Sequence, residues 1–451
     1  MKAATQHIRF ISRSIRAGAL RVLLHFSLIV CFLEDWLRPP KPVAGKRVLM
    51  IVFGGLGDCL LFDPLFRRMK EQWPGVRIDV LTGCFESMWE GLASIDYLMY
   101  FGRNTFKPPW AYFSLFRRIY RNRYSLAVEG LGMMPKRGTW SIVTSLMLQA
   151  SQAPERVGRQ ATGRLVYRPN REPGFLGADD AHRSRHPQNS GRPMHPSVNR
   201  LIELPLPQDR HYHEAYYVAQ AIGVDFFRRP EEPRLRPDPI QMEWAARILR
   251  DYGLRESDTL VGLVVETTYP LKRWPVERFQ EIVQRGIQDG MKFVLLGHME
   301  HVPQIEGQFP ADRLINLSSQ TTLAQMIAVI RHCDLFVAAD TGPAHVAQAC
   351  GIPSIVLFGP SNDREFGPVD LDKHSLITPA EILPCRPCVL GPCVRGQSCM
   401  NLISVDTVYA TLKTKFLSIR TSREDGTAVP SSTAVPGSTE PRREPGILRA
   451  I

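Results

Sequence analysis

The sequence predicts an α/β protein built from two facing Rossmann-like domains, each a parallel sheet covered by helices. Three observations carry this. Residues 47–53 and 260–265 are continuous apolar runs of strand length, as expected of strands covered on both faces. Each run opens a series in which apolar runs alternate with segments of helical period. At 451 residues, the chain is also longer than one hydrophobic core usually supports.

The elements follow in order. Residues 1–40 form a basic, partly apolar N-terminal segment. Residues 1–46 carry eight Lys or Arg against two acids, so six of the chain's twelve net positive charges lie before the first expected strand. Ile8, Ile11 and Ile15 recur at helical spacing, with Arg9, Arg13 and Arg16 on another face. Residues 22–33, VLLHFSLIVCFL, are apolar but too short to span a hydrocarbon core of about 30 Å. The pattern suggests a helix on a membrane surface; a signal peptide and a helix packed on the protein's own core are the alternatives. Charge placed there points to a membrane before nucleic acid, which is not expected as a partner. Pro39, Pro40 and Pro42 then end the helix.

Residues 45–235 read as the first α/β domain. Gly54-Gly55-Leu56-Gly57-Asp58 follows the 47–53 strand, Leu60, Leu61, Leu65, Met69 and Trp73 mark a helix, and a strand is expected over 76–82. Apolar residues at 126–130 and periodic segments at 112–120 and 140–150 continue the alternation, while 171–200 reads as a long loop. Residues 236–419 read as the second domain, with strands at 260–265, 292–296, 314–317, 335–338 and 354–358 and helices at 275–289, 322–331 and 343–350. Residues 420–451, rich in Ser, Thr, Pro and charge, are expected to be a disordered tail.

In such sheets ligands bind beyond the carboxyl ends of the strands. The turn Gly54, Gly55, Gly57 offers backbone amides at a helix start, and Asp58 is its reactive group, either a general base or simply a helix cap. Asp340-Thr341-Gly342-Pro343-Ala344-His345 joins a strand to a helix with proline in the first turn, a cradle for a diphosphate. Glu266-Thr267-Thr268 followed by Lys272 brings hydroxyls and a cation to the end of another strand, as a leaving diphosphate needs. Arg117, Arg118, Arg121, Lys136 and Arg137 form a basic group suited to an acidic acceptor or to a solvated face. Nine cysteines suggest a reducing compartment. Cys385, Cys388, Cys393 and Cys399 have the spacing C-x2-C-x4-C-x5-C, open to a metal or to thiols in a loop. The glycine turn lacks Gly-x-Gly-x-x-Gly, which weakens a dinucleotide reading, although Asp79 imitates the ribose-binding acid.

Taken together, GGLGD with LLFDPLFRRMKEQWPGVRIDVLTG, then KRWPVERF, then DLFVAADTGPAHVAQACGIPSIVLFGP resemble glycosyltransferase family 9, the heptosyltransferases of the lipopolysaccharide inner core. The resemblance covers about residues 45–415. It implies a GT-B fold, an inverting transfer, no required cofactor or metal, ADP-heptose as donor and a glycolipid or glycan acceptor. It further implies Asp58 as catalytic base, Thr267, Thr268 and Lys272 as phosphate ligands, Glu300 as a ribose contact, and Asp340, Thr341, Gly342 and His345 as the sugar-diphosphate site. A cytoplasmic location, peripheral on the inner membrane, accords with this. The rival readings are a non-catalytic nucleotide-sugar scaffold and an NAD-dependent oxidoreductase.

Overall fold

The structure is a computed structural model that describes residues 2–39, 45–102, 107–131, 140–158, 200–201, 214–225, 231–297, 305, 308–388, 393, 395–396, 398–425 and 446–449. The first sheet contains β1 (Arg47–Val52), β2 (Arg77–Thr82), β3 (Tyr97–Tyr100), β4 (Leu126–Leu131), β5 (Glu155–Gly158) and β6 (Arg200–Leu201). The second contains β7 (Leu260–Val264), β8 (Lys292–Leu295), β9 (Leu314–Asn316), β10 (Leu335–Ala339), β11 (Ser354–Leu357) and β12 (Ser375–Ile377). A last strand, β13 (Gly446–Arg449), returns to the first sheet. The sheet orders are β13-β3-β2-β1-β4-β5-β6 and β12-β11-β10-β7-β8-β9, and every pairing is parallel.

Apart from β13, the two sheets share one topology. Each starts at a central strand, winds outward on one side and then crosses over to wind outward on the other. The switch points lie between β1 and β4 and between β7 and β10. At such a point neighbouring loops leave in opposite directions and open a crevice, where ligands of doubly wound sheets bind. The loops after β1, β7 and β10 therefore start at the places the topology favours.

Strand burial explains why these runs form sheet cores. Every residue of β7, β10 and β11 is buried, and β1 is buried from Val48 onward. One apolar cluster runs through residues of both domains, including Met50, Phe66, Trp89, Leu235, Val264, Ala344 and Phe358. The linker is fastened from both sides. Leu235 N–H donates to the Ala349 carbonyl at 2.9 Å, Arg236 N–H donates to the Gly91 carbonyl at 3.0 Å, and the Glu232 carboxylate accepts from the backbone N–H of Val369 at 2.7 Å.

Both ends of the chain carry structure. The N-terminal segment is one helix, α1 (Lys2–Leu37), which carries on past the apolar run to its end before the prolines. It packs against the helices Pro109–Arg121 and Trp140–Ala150: Leu24 and Cys31 are buried, and Leu20, Leu23 and Leu28 pack against the apolar cluster that Leu24 joins. At the other end, residues 420–451 were expected to be unstructured. A helix over Val405–Glu424 passes the boundary, because Val408, Leu412 and Phe416 bury one of its faces and Arg423 pairs with Asp334. β13 then adds to the sheet edge beside β3. The expected loop 171–200 lies outside the described residues, except Arg200 in β6.

Candidate active site

The first component is the turn after β1. Gly54 and Gly55 lead into the short helix α2 (Leu56–Leu60), and Asp58 sits at its third position with its carboxylate accepting the Gly55 N–H at 3.0 Å. The cap reading of Asp58 is thus partly met, since the carboxylate braces the turn from inside the helix. Cys84 Sγ lies 3.5 Å from the Gly54 carbonyl behind the turn, beside Cys59, whose thiol burial pushes well above its ordinary pKa.

The second component is a buried charged cluster in the other domain. Lys272 ends a single 3-10 turn (Pro270–Lys272), and its Nζ donates to Asp340 Oδ2 at 2.5 Å. His345 lies in the helix Gly342–Ala349, with its Nε2 3.5 Å from Asp340 Oδ1. Burial alone pushes the Asp340 carboxyl up, but the His345 hydrogen bond and the Lys272 charge together hold it far below the usual carboxylate range. Asp340 thus stays a carboxylate and fixes both partners. An ammonium has three N–H donors, so Lys272 retains capacity for a ligand beyond Asp340. Among the described residues, His345 Nδ1 is buried without a hydrogen-bond partner.

Thr341 caps this helix in extended conformation and donates its hydroxyl proton to the Ala339 carbonyl at 3.1 Å; in the first turn Pro343 has no N–H and the Ala344 N–H donates to the Thr341 carbonyl at 3.1 Å. Thr267 is buried and donates to the Tyr269 carbonyl at 2.6 Å, whereas Thr268 is exposed at the tip of its turn. Glu300 lies outside the described residues.

The two components touch. A β-carbon on Gly57 would stand 2.3 Å from His345 Cδ2, and one on Gly342 would stand 2.8 Å from the Leu56 β-carbon. Only glycine permits that approach, so these two glycines bring the Asp58 turn against the Asp340–His345 cluster. No local pattern marks the Gly57–His345 contact, which joins residues far apart in the chain.

Three sequence candidates take other positions. Arg117 and Arg121 pair with Glu34 of α1, so they fasten that helix, and Arg118 lies over the Tyr97 ring at 5.4 Å from its centroid. Lys136 and Arg137 lie outside the described residues. Asp79 sits inside β2, bound by Arg77 and by the Tyr124 hydroxyl at 2.8 Å, which removes it as a ribose ligand. Cys385, Cys388, Cys393 and Cys399 line one small cavity beside Leu271 of the 3-10 turn, where the Ser398 hydroxyl donates to the Leu271 carbonyl at 2.6 Å. Among the described residues, no group of three or more His, Cys, Asp or Glu is arranged to hold a metal ion.

Residues 212–396 match the family model described as glycosyltransferase family 9 (heptosyltransferase). Over that segment the chain is similar to glycosyltransferase family 9. The chain is 26% identical over 174 residues to the lipooligosaccharide heptosyltransferase 2 of Haemophilus influenzae, covering 36% of this chain and 50% of that one. The chain spans about half the length of that curated relative. Its fold is that of the crystal structure of a family 9 glycosyl transferase from Veillonella parvula, with a TM-score of 0.65 and 19% identity over 84% of this chain and 99% of the other. It is also that of E. coli ADP-heptose lps heptosyltransferase II, with a TM-score of 0.59 and 17% identity over 83% and 99%. The chain thus has the two-domain GT-B fold, as expected from its sequence.

Proposed function

We propose that this chain is an inverting glycosyltransferase that moves a sugar from a nucleotide-diphosphate donor, ADP-heptose, to a lipopolysaccharide-core acceptor. One observation carries the reading: a carboxylate turn at one switch point is packed against a Lys–Asp–His cluster at the other. The heptosyltransferase names of the relatives support heptose as the sugar and ADP-heptose as the donor.

In this reading the diphosphate lies at the first turn of the Gly342–Ala349 helix, where amide groups and the helix dipole favour negative charge. Lys272 and Thr268 complete its surroundings from the loop after β7. The acceptor hydroxyl approaches from the β1 side. Its oxygen attacks the anomeric carbon from the face opposite the diphosphate, and Asp58 takes its proton. The carbon–oxygen bond to the diphosphate breaks as the new bond forms, and Lys272 stabilises the charge gained by the departing nucleotide. No step is assigned to a metal, since this chain's cation and helix amides supply the positive field.

A calorimetric titration with ADP-heptose, ADP, UDP-glucose and NADH tests the donor. Binding of the ADP ligands in preference to the other two is expected. Binding of NADH alone sinks the reading in favour of an oxidoreductase, for which the Asp79 position already speaks poorly.

A further inference from the structure

The helix α1 has two apolar faces, only one of which the protein uses. Leu20, Leu24, Ser27 and Cys31 face the first domain's outer core. Val22, Phe26, Ile29, Leu33 and Trp36 repeat the same helical spacing about two positions on, and each is 51–74% exposed. The neighbouring helix α5 (Pro109–Arg121) extends that surface with Trp110, itself 61% exposed. Phe26 lies beside Phe113 with ring centroids 6.0 Å apart, and Glu34 lies beside Arg117 and Arg121, so α1 and α5 run in the same direction.

That direction fixes where the surface lies. The chain of α5 leads from β3 into β4, both parallel to β1, so it descends from the carboxyl edge of the sheet to the amino edge. Trp110 and the Val22–Phe26 end of the stripe therefore lie toward the edge from which the Gly54–Asp58 turn emerges.

We infer that this two-helix face docks on an anionic lipid bilayer. Charge complementarity selects this occupant. The helix carries Lys2, Arg9, Arg13, Arg16 and Arg21 and no acid before Glu34, while Glu34 and Asp35 are held by Arg117, Arg121 and Arg123 on the α5 side. A helix with an apolar stripe, terminal tryptophan and basic residues lies in the interface between headgroups and acyl chains, each basic residue adding to its attraction for an anionic leaflet. Crossing is not implied: among the described residues, no helix is long and apolar enough to span a membrane. The inference stands on this face alone, apart from the reaction proposed above. It deepens that reading by bringing the acceptor-side turn toward the surface where a lipid-anchored acceptor resides.

The test is co-sedimentation of the full chain with phosphatidylglycerol-containing vesicles and with pure phosphatidylcholine vesicles, at low and high salt. ADP binding is followed in parallel, so that loss of docking and loss of the donor site are read separately. Binding to the anionic vesicles that weakens with salt is expected. The combined variant Ile29→Ser, Leu33→Ser and Trp36→Ser should bind at least about tenfold more weakly and unfold at the wild-type temperature, because these side chains touch solvent. Should that variant fold poorly, quenching of tryptophan fluorescence by brominated lipid provides a second readout, which should be smaller in Trp36→Phe than in the wild type. The inference fails if the full chain ignores anionic vesicles at low salt, if the variant binds as well as the wild type, or if quenching is equal. It also fails if the wild type is a dimer that the variant turns into a monomer with no vesicle binding in either, which would assign the face to a second copy.

Discussion

Asp58→Asn should retain ADP binding and lose sugar transfer by at least about a hundredfold, the usual worth of a general base. The substitution keeps the shape of the side chain and an oxygen able to accept the Gly55 N–H, so the turn and its contact with the second domain should persist. What it removes is the negative charge that receives the acceptor's proton. The turn is therefore separable from the chemistry, and calorimetry on the same sample shows which was lost. Near wild-type turnover in Asp58→Asn overturns the assignment of the base, whereas loss of both binding and turnover shows that the variant broke the domain contact instead.

The second large effect belongs to Asp340. It is 4% exposed, and it holds the Lys272 ammonium and the His345 ring in place. Asp340→Ala leaves a largely buried cation without its partner, a defect that costs about 3–5 kcal/mol in comparable buried pairs. Urea unfolding at neutral pH should show a loss near the lower end of that range, since Lys272 retains 17% side-chain exposure. Adding Lys272→Ala should recover part of the stability, because the uncompensated charge is gone, while leaving ADP affinity low. The acid dependence has a defined sign. The folded-state pKa of Asp340 is depressed, so its contribution is fully present above the ordinary carboxylate value of about 4 and disappears as pH falls toward the folded value. The difference between wild type and Asp340→Ala should therefore shrink only in strong acid. A variant within about 0.5 kcal/mol of wild type at neutral pH contradicts the role given to the pair.

The doubly wound cores were legible because strands covered on both faces leave continuous apolar runs. Residues 47–53, 260–265, 335–338 and 354–358 all have them, each followed by a turn with glycine or hydroxyl residues. Three of the shorter outer strands were not, although β9 was expected at 314–317. β3 has four residues, β5 mixes Glu155 and Arg156 with Val157, and β12 has three, so none carries a pattern that separates it from a loop. The same physics hid the second face of α1. In a stretch where nearly every position from 22 to 33 is apolar, the sequence cannot show which residues turn inward; that is set by α5, through ion pairs spanning more than 80 residues. The site was legible as loops, residue by residue, but not as an assembly. The contact of Gly57 with His345 depends on how two domains meet, and no local pattern records it.

The most direct measurement is ADP release from ADP-heptose, followed with and without a heptose-deficient lipopolysaccharide acceptor, with the anomeric configuration of the product read by NMR. The account expects release that requires the acceptor and a product inverted at the anomeric carbon. Release that ignores the acceptor, retention of configuration, or tight donor binding with no transfer to any lipopolysaccharide acceptor would contradict it.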